Sequence, residues 1–179
     1  MKKSILIILL LFAINPLPAQ NIYDDMGEES LLIKTLTEKK PIAVLPCKAF
    51  VTVGLASSKI RVKKSETQGI RVNGNENSYY IRANSKVTNV PISLVKLEDK
   101  GKALQAASNS DFGKKIPALP ITRKLVDKAR QIYQISVLSP LENGFYAFVF
   151  NKPNSKGNLS FSDHNITSKP MVFEVVNLD

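Results

Sequence analysis

Beyond Glu29 the chain is built from short runs in which apolar and polar residues alternate, separated by turn formers. Alternation with a period of two places side chains on opposite faces of a β-strand. In Lys59-Ile60-Arg61-Val62-Lys63, Ile60 and Val62 share one face and the three bases share the other. The same pattern predicts strands over Ala49 to Val53, Ser78 to Ala83 and Pro91 to Leu97, and a short one from Ala103 to Ala106. In the first of these Phe50 and Thr52 oppose Val51 and Val53. In the third, Ile92, Leu94 and Lys96 oppose Ser93, Val95 and Leu97. Phe145 to Phe150 is apolar on both faces, as expected of a central strand covered by two layers. Met171 to Val176 predicts a closing strand after a polar loop.

Residues 119–138 carry two signals. Leu125, Val126, Ala129, Ile132 and Tyr133 fall at helical spacing. Read as a hairpin, Ile121 to Leu125 turns through Asp127 and Lys128 into Arg130 to Leu138, with Tyr133, Ile135 and Val137 on one face. The β-branched content after Ile132 favours the hairpin. Roughly eight short strands with turns every 8–12 residues predict an all-β fold, a single immunoglobulin-like two-sheet sandwich.

The N-terminus has a different pattern. Lys2 and Lys3 precede an apolar run from Ile5 to Ile14, followed by Pro16, Pro18 and Ala19. This is the form of a cleaved signal peptide over residues 1–19, which directs export through the Sec pathway to the periplasm or the cell exterior. The run is too short to span a bilayer, so no transmembrane helix is expected. Residues 20–30, polar and acidic, read as a tether, and 31–179 as the domain. The four carboxylates Asp24, Asp25, Glu28 and Glu29 do not match the spacing of a calcium loop.

Composition changes this picture in two places. Cys47 is the only cysteine, which excludes an internal disulfide, and its apolar neighbours Ala43, Val44, Leu45 and Phe50 predict a buried, inert thiol. The 179-residue chain carries a formal +10. Without the two leader lysines, 23 bases face 15 acids, a net +8. Such a surplus favours anionic partners. In an exported protein these are a glycan or a lipid headgroup, with another envelope protein as the other expected partner and nucleic acid excluded by compartment. The candidate anion-binding residues are Lys59, Arg61, Lys63 and Arg82, with Lys64 beside them and Arg71 joining if its strand is a neighbour. A charged strand face also protects an edge against aggregation. No aromatic residue interleaves these bases, which favours edge protection over anion binding.

Catalytic chemistry finds little support. His164 is the only histidine, in a loop with Asp163, and no G-x-S-x-G elbow accompanies it. Clusters of imidazole or thiolate ligands are excluded, no glycine-rich phosphate loop occurs, and Glu98, Asp99 and Glu174 read as strand-edge or turn charges. The expected function is therefore a non-catalytic binding or accessory module without a cofactor. A small eight-stranded outer-membrane barrel is the architectural alternative, since such barrels have about this length.

Pro140-Leu141-Glu142-Asn143-Gly144-Phe145-Tyr146-Ala147-Phe148 resembles the "L-x-P-G-x-Y" entry to a late strand in immunoglobulin-like and fibronectin-like sandwiches. With Tyr79-Tyr80-Ile81-Arg82, Ile92 to Leu97 and Ile132-Tyr133-Gln134-Ile135 ahead of it, the stretch from Ser78 to Val176 is similar to a group of uncharacterised secreted bacterial proteins. Asn143 and Phe145 stand where that group has Pro and Glu. The resemblance implies a sandwich fold and export, and no activity. Leu141 is expected to plug the core end, Gly144 to permit the corner, and Tyr146 to return its hydroxyl to a backbone group.

Overall fold

The computed structural model describes residues 23–24, 26–35, 40–53, 58–73, 77–83, 92–106, 116–150, 158–159 and 169–177. The expected signal peptide and His164 lie outside the described residues. The described chain is all-β, with one 3-10 turn at Lys64–Glu66 and no α-helix. Its strands are β1 (Ser30–Lys34), β2 (Ile42–Val44), β3 (Ala49–Val53), β4 (Ser58–Lys63), β5 (Arg71–Val72), β6 (Ser78–Arg82) and β7 (Ile92–Asp99). They continue with β8 (Ala103–Ala106), β9 (Ile116–Pro117), β10 (Ile121–Asp127), β11 (Ile132–Val137), β12 (Gly144–Phe150), β13 (Asn158–Leu159) and β14 (Met171–Val175).

Twelve of these form two sheets. One has the order β10-β11-β6-β1-β2, the other β3-β4-β8-β7-β12-β14-β5, and β9 pairs separately with β13. Neighbours run antiparallel except β14 and β5, which are parallel. Among the described residues, neither large sheet closes on itself. The strand count exceeds the eight expected because β1 is apolar on both faces, while β2, β5, β9 and β13 are two or three residues long. None of these shows an alternation to read.

The sheets pack face to face. Leu31, Ile33, Tyr79, Ile81 and Ile135 of the five-stranded sheet meet Leu94, Tyr146, Phe148, Met171 and Phe173 of the seven-stranded one. Phe148 and Phe173 stack at 5.8 Å and Tyr79 leans on both, at 5.4 and 5.5 Å. The other face of the seven-stranded sheet is also covered. Val95, Leu97, Ala147, Val149 and Val172 form a second core with Ile60, Val62, Leu104, Ile116 and Cys47. β12 therefore serves both cores, Tyr146, Phe148 and Phe150 on one side and Ala147 and Val149 on the other, which explains its unbroken apolar sequence.

Residues 119–138 form the hairpin. Ile121 pairs with Val137 and Leu125 with Tyr133, with a bulge between Leu125 and Asp127. The turn is held by Asp127 Oδ1 accepting from the Arg130 amide at 3.0 Å, and Gln131 takes a positive φ of 55°. Tyr133, Ile135 and Val137 all face the main core.

Three of the described residues before β1, Tyr23, Asp24 and Met26, make contacts on the five-stranded sheet. Met26 is 4% exposed and packs with Leu32, Tyr80 and Ile132 on the outer face of the five-stranded sheet. Tyr23 meets the Tyr80 ring at 5.3 Å, and Asp24 pairs with Arg130 at 2.9 Å. Buried apolar contact, not charge alone, holds this strap down.

Tyr146 forms the expected corner. Its hydroxyl donates to the Glu142 carbonyl at 2.9 Å, and Leu141 is buried in the main core. Gly144 adopts φ 145°, a conformation that side-chain-bearing residues rarely take. Asn143 accepts from the Asn177 amide at 2.6 Å and ties the corner to the chain after β14.

Candidate anion-binding face

The seven-stranded sheet is wider than its partner, and the half made of β8, β4 and β3 carries the basic residues. β4 alternates as its sequence dictates. Ile60 and Val62 are buried in the second core, whereas Arg61 and Lys63 are exposed on the opposite face with Lys59 half-buried beside them. Cross-strand pairing then decides their neighbours. Arg61 lies between Phe50 of β3 and Gln105 of β8, and Lys63 lies opposite Ala103.

Phe50 changes the character of this face. It is 55% exposed, and the Lys63 ammonium sits 5.5 Å from its ring centroid. At an exposed site such a cation–π contact contributes about 0.5–1 kcal/mol. An aromatic does interleave the bases after all. It arrives from the neighbouring strand, far from the bases in sequence, through the Phe50–Arg61 pair.

Together these residues line a cavity of about 780 Å³, with Phe50, Arg61, Lys63, Lys64, Ser65, Lys102 and Ala103 in its walls. Lys64 enters through the 3-10 turn after β4, where its amide donates to the Lys102 carbonyl at 3.1 Å. That bond also brings Lys102 to the rim. Among the described residues, four cations and no carboxylate line the space. Lys64 is paired with Asp99, and its ammonium lies 5.4 Å from the Phe145 ring. The hydrogen bond from Lys64, helped by the Gly101 amide, holds the Asp99 carboxyl below its ordinary range. Arg61, Lys63 and Lys102 have no ion-pair partner among the described residues.

Lys59 shares the face but does not line the cavity. Arg82 is not part of it. Its strand β6 belongs to the five-stranded sheet, and its guanidinium donates to the Met26 carbonyl, serving the strap. Arg71 is at the far edge of the seven-stranded sheet, paired with Glu174 at 2.7 Å. The expected strand-edge charges are likewise engaged, Glu98 with Lys100 at 2.6 Å. The sequence points only weakly to Lys64 and not at all to Lys102 as site residues, because only the β4–β8 pairing brings them together.

Cys47 is buried, and its thiol donates to the Pro170 carbonyl at 3.1 Å. Burial pushes the thiol up from its ordinary 9.0 to about 11. Such a group is a poor nucleophile and a poor metal ligand at neutral pH. No cluster of three or more His, Cys, Asp or Glu gathers among the described residues, and no helix among them is long and apolar enough to cross a membrane.

The fold and this face define an all-β protein of two packed sheets with one strongly basic, aromatic-edged groove. Compared with protein-family models, curated proteins and solved structures, the chain matches none.

Proposed function

We propose that this is an exported, non-catalytic, immunoglobulin-like binding module of the bacterial envelope, which holds anionic glycans or lipid headgroups on the β4 face. The observation that carries the reading is the groove itself, where Arg61, Lys63 and Lys102 converge with no carboxylate among the described residues to neutralise them. Like charges gathered in one cavity repel, and an anion entering it relieves that repulsion while gaining charge-assisted hydrogen bonds. Export is supported by the basic, apolar and small-residue order of residues 1–19. The immunoglobulin-like kinship is supported by the Tyr146 corner and the face-to-face sheets.

Retention on a heparin or lipid A matrix, followed across a salt gradient, tests the function. The wild-type mature protein is expected to bind and to elute with rising salt, as a screened electrostatic contact must. The triple variant K59Q/R61Q/K63Q is expected to flow through while keeping its circular dichroism spectrum. Equal retention of variant and wild type would overturn the reading. A salt-resistant envelope protein captured instead would move the binding surface to the open sheet edges.

A further inference from the structure

Within the proposed anion-binding role, and resting on it, we infer that the groove selects a saccharide bearing phosphate or sulfate esters, with Phe50 as the platform for a sugar ring. Charge alone explains attraction but not the aromatic residue. Phe50 lines the groove beside its cations with its ring 55% exposed, so a ligand there meets an apolar face as well as charge.

The geometry restricts the class. Ring faces are negatively polarised and attract positive charge, which is why the Lys63 ammonium lies over Phe50. Sugar C–H bonds carry the same sign of partial charge as that ammonium. A pyranose can therefore take its place on the ring while Lys63 turns to an ester oxygen. Arg61, directly across from Phe50, then reaches the same ester with two parallel N–H donors. Lys102 and the Ser65 hydroxyl stand on the rim for further oxygens.

An acyl chain suits the site less well. Most of the exposed wall is apolar, from the Phe50 ring, Ala103 and the stems of the long side chains, but those stems end in charges and Ser65 adds a hydroxyl. A wholly apolar ligand would desolvate those tips without pairing them, whereas a sugar offers an apolar face and a polar rim. The cavity, about 780 Å³, is within the size range of a small-molecule site and admits a short oligosaccharide.

Calorimetric titration of the mature protein with a sulfated heparin disaccharide and with a linear, ring-free polyphosphate separates the two ideas. The disaccharide is expected to lose about five- to tenfold in affinity with Phe50→Ala, and to be restored by Phe50→Tyr. Polyphosphate binding is expected to be unchanged by either substitution. Both ligands are expected to weaken with R61Q/K63Q. If Phe50→Ala leaves the disaccharide unaffected, the sugar platform is wrong while the anion site stands. If the wild type binds neither ligand and passes unretained over heparin, the anion-binding function itself is wrong. Circular dichroism of Phe50→Ala, truncated at an exposed edge position, confirms that the variant is folded.

Discussion

Alkylation of Cys47 reports directly on the half of the molecule that carries the groove. The thiol is 7% exposed in the second core, packed with Ile60 and Val62, whose strand presents Arg61 and Lys63 on its other face. With its pKa near 11 against 9.0 for an unburied thiol, about one thiolate in a thousand is present at pH 8, against about one in ten. Ionisation alone slows iodoacetamide about a hundredfold relative to the chain in denaturant, and burial slows it further. The native rate is expected to climb with pH well beyond 9 instead of levelling off there. The same shift affects stability. Below pH 9 the thiol is neutral in both states and costs nothing. Between 9 and 11 the unfolded chain ionises first, so stability falls as pH rises. If labelling requires the β3–β4–β8 half to open, a groove ligand at a hundred times its Kd slows it a further hundredfold, equivalent to about 2.7 kcal/mol. Labelling at the denatured rate, or a plateau below pH 9, would refute the buried thiol. Ligand protection absent at saturating, calorimetrically verified binding would refute the coupling between this core and the groove.

Two more outcomes follow from the packing. Tyr146→Phe removes the hydrogen bond to the Glu142 carbonyl and is expected to cost about 1 kcal/mol, a fall in Tm of about 2–4 °C by calorimetry, with heparin retention intact. Met26→Ala strips the strap's apolar anchor on the five-stranded sheet and is expected to cost about 2 kcal/mol in urea unfolding, the low end for a buried methionine because the cluster is small. An unchanged midpoint would mean that the strap does not anchor the sheet in solution.

Strands with a clean period of two are legible in the amino-acid sequence, as β4 illustrates, and β7 and β12 are legible from apolar residues on both faces. Burial of one or both faces writes itself into the local sequence. The hairpin over residues 121–137 is legible for the same reason, since Tyr133, Ile135 and Val137 repeat at strand spacing and turn toward one core. β1, with Leu31-Leu32-Ile33 apolar throughout, and the two-residue strands β5 and β9 leave no comparable pattern. Their existence depends on partners distant in sequence.

The site divides along the same line. Local chemistry determined that Ile60 and Val62 point inward and that Lys59, Arg61 and Lys63 share a face, because alternation requires only that the segment be a strand. Tertiary structure decided who stands beside them. Register set Phe50 against Arg61, a 3-10 turn and one backbone hydrogen bond brought in Lys64 and Lys102, and sheet membership took Arg82 away to the strap. Strand pairing is a long-range choice made by the whole core. No run of residues carries it alone, which is why a row of bases can be read from the chain and the groove around it cannot.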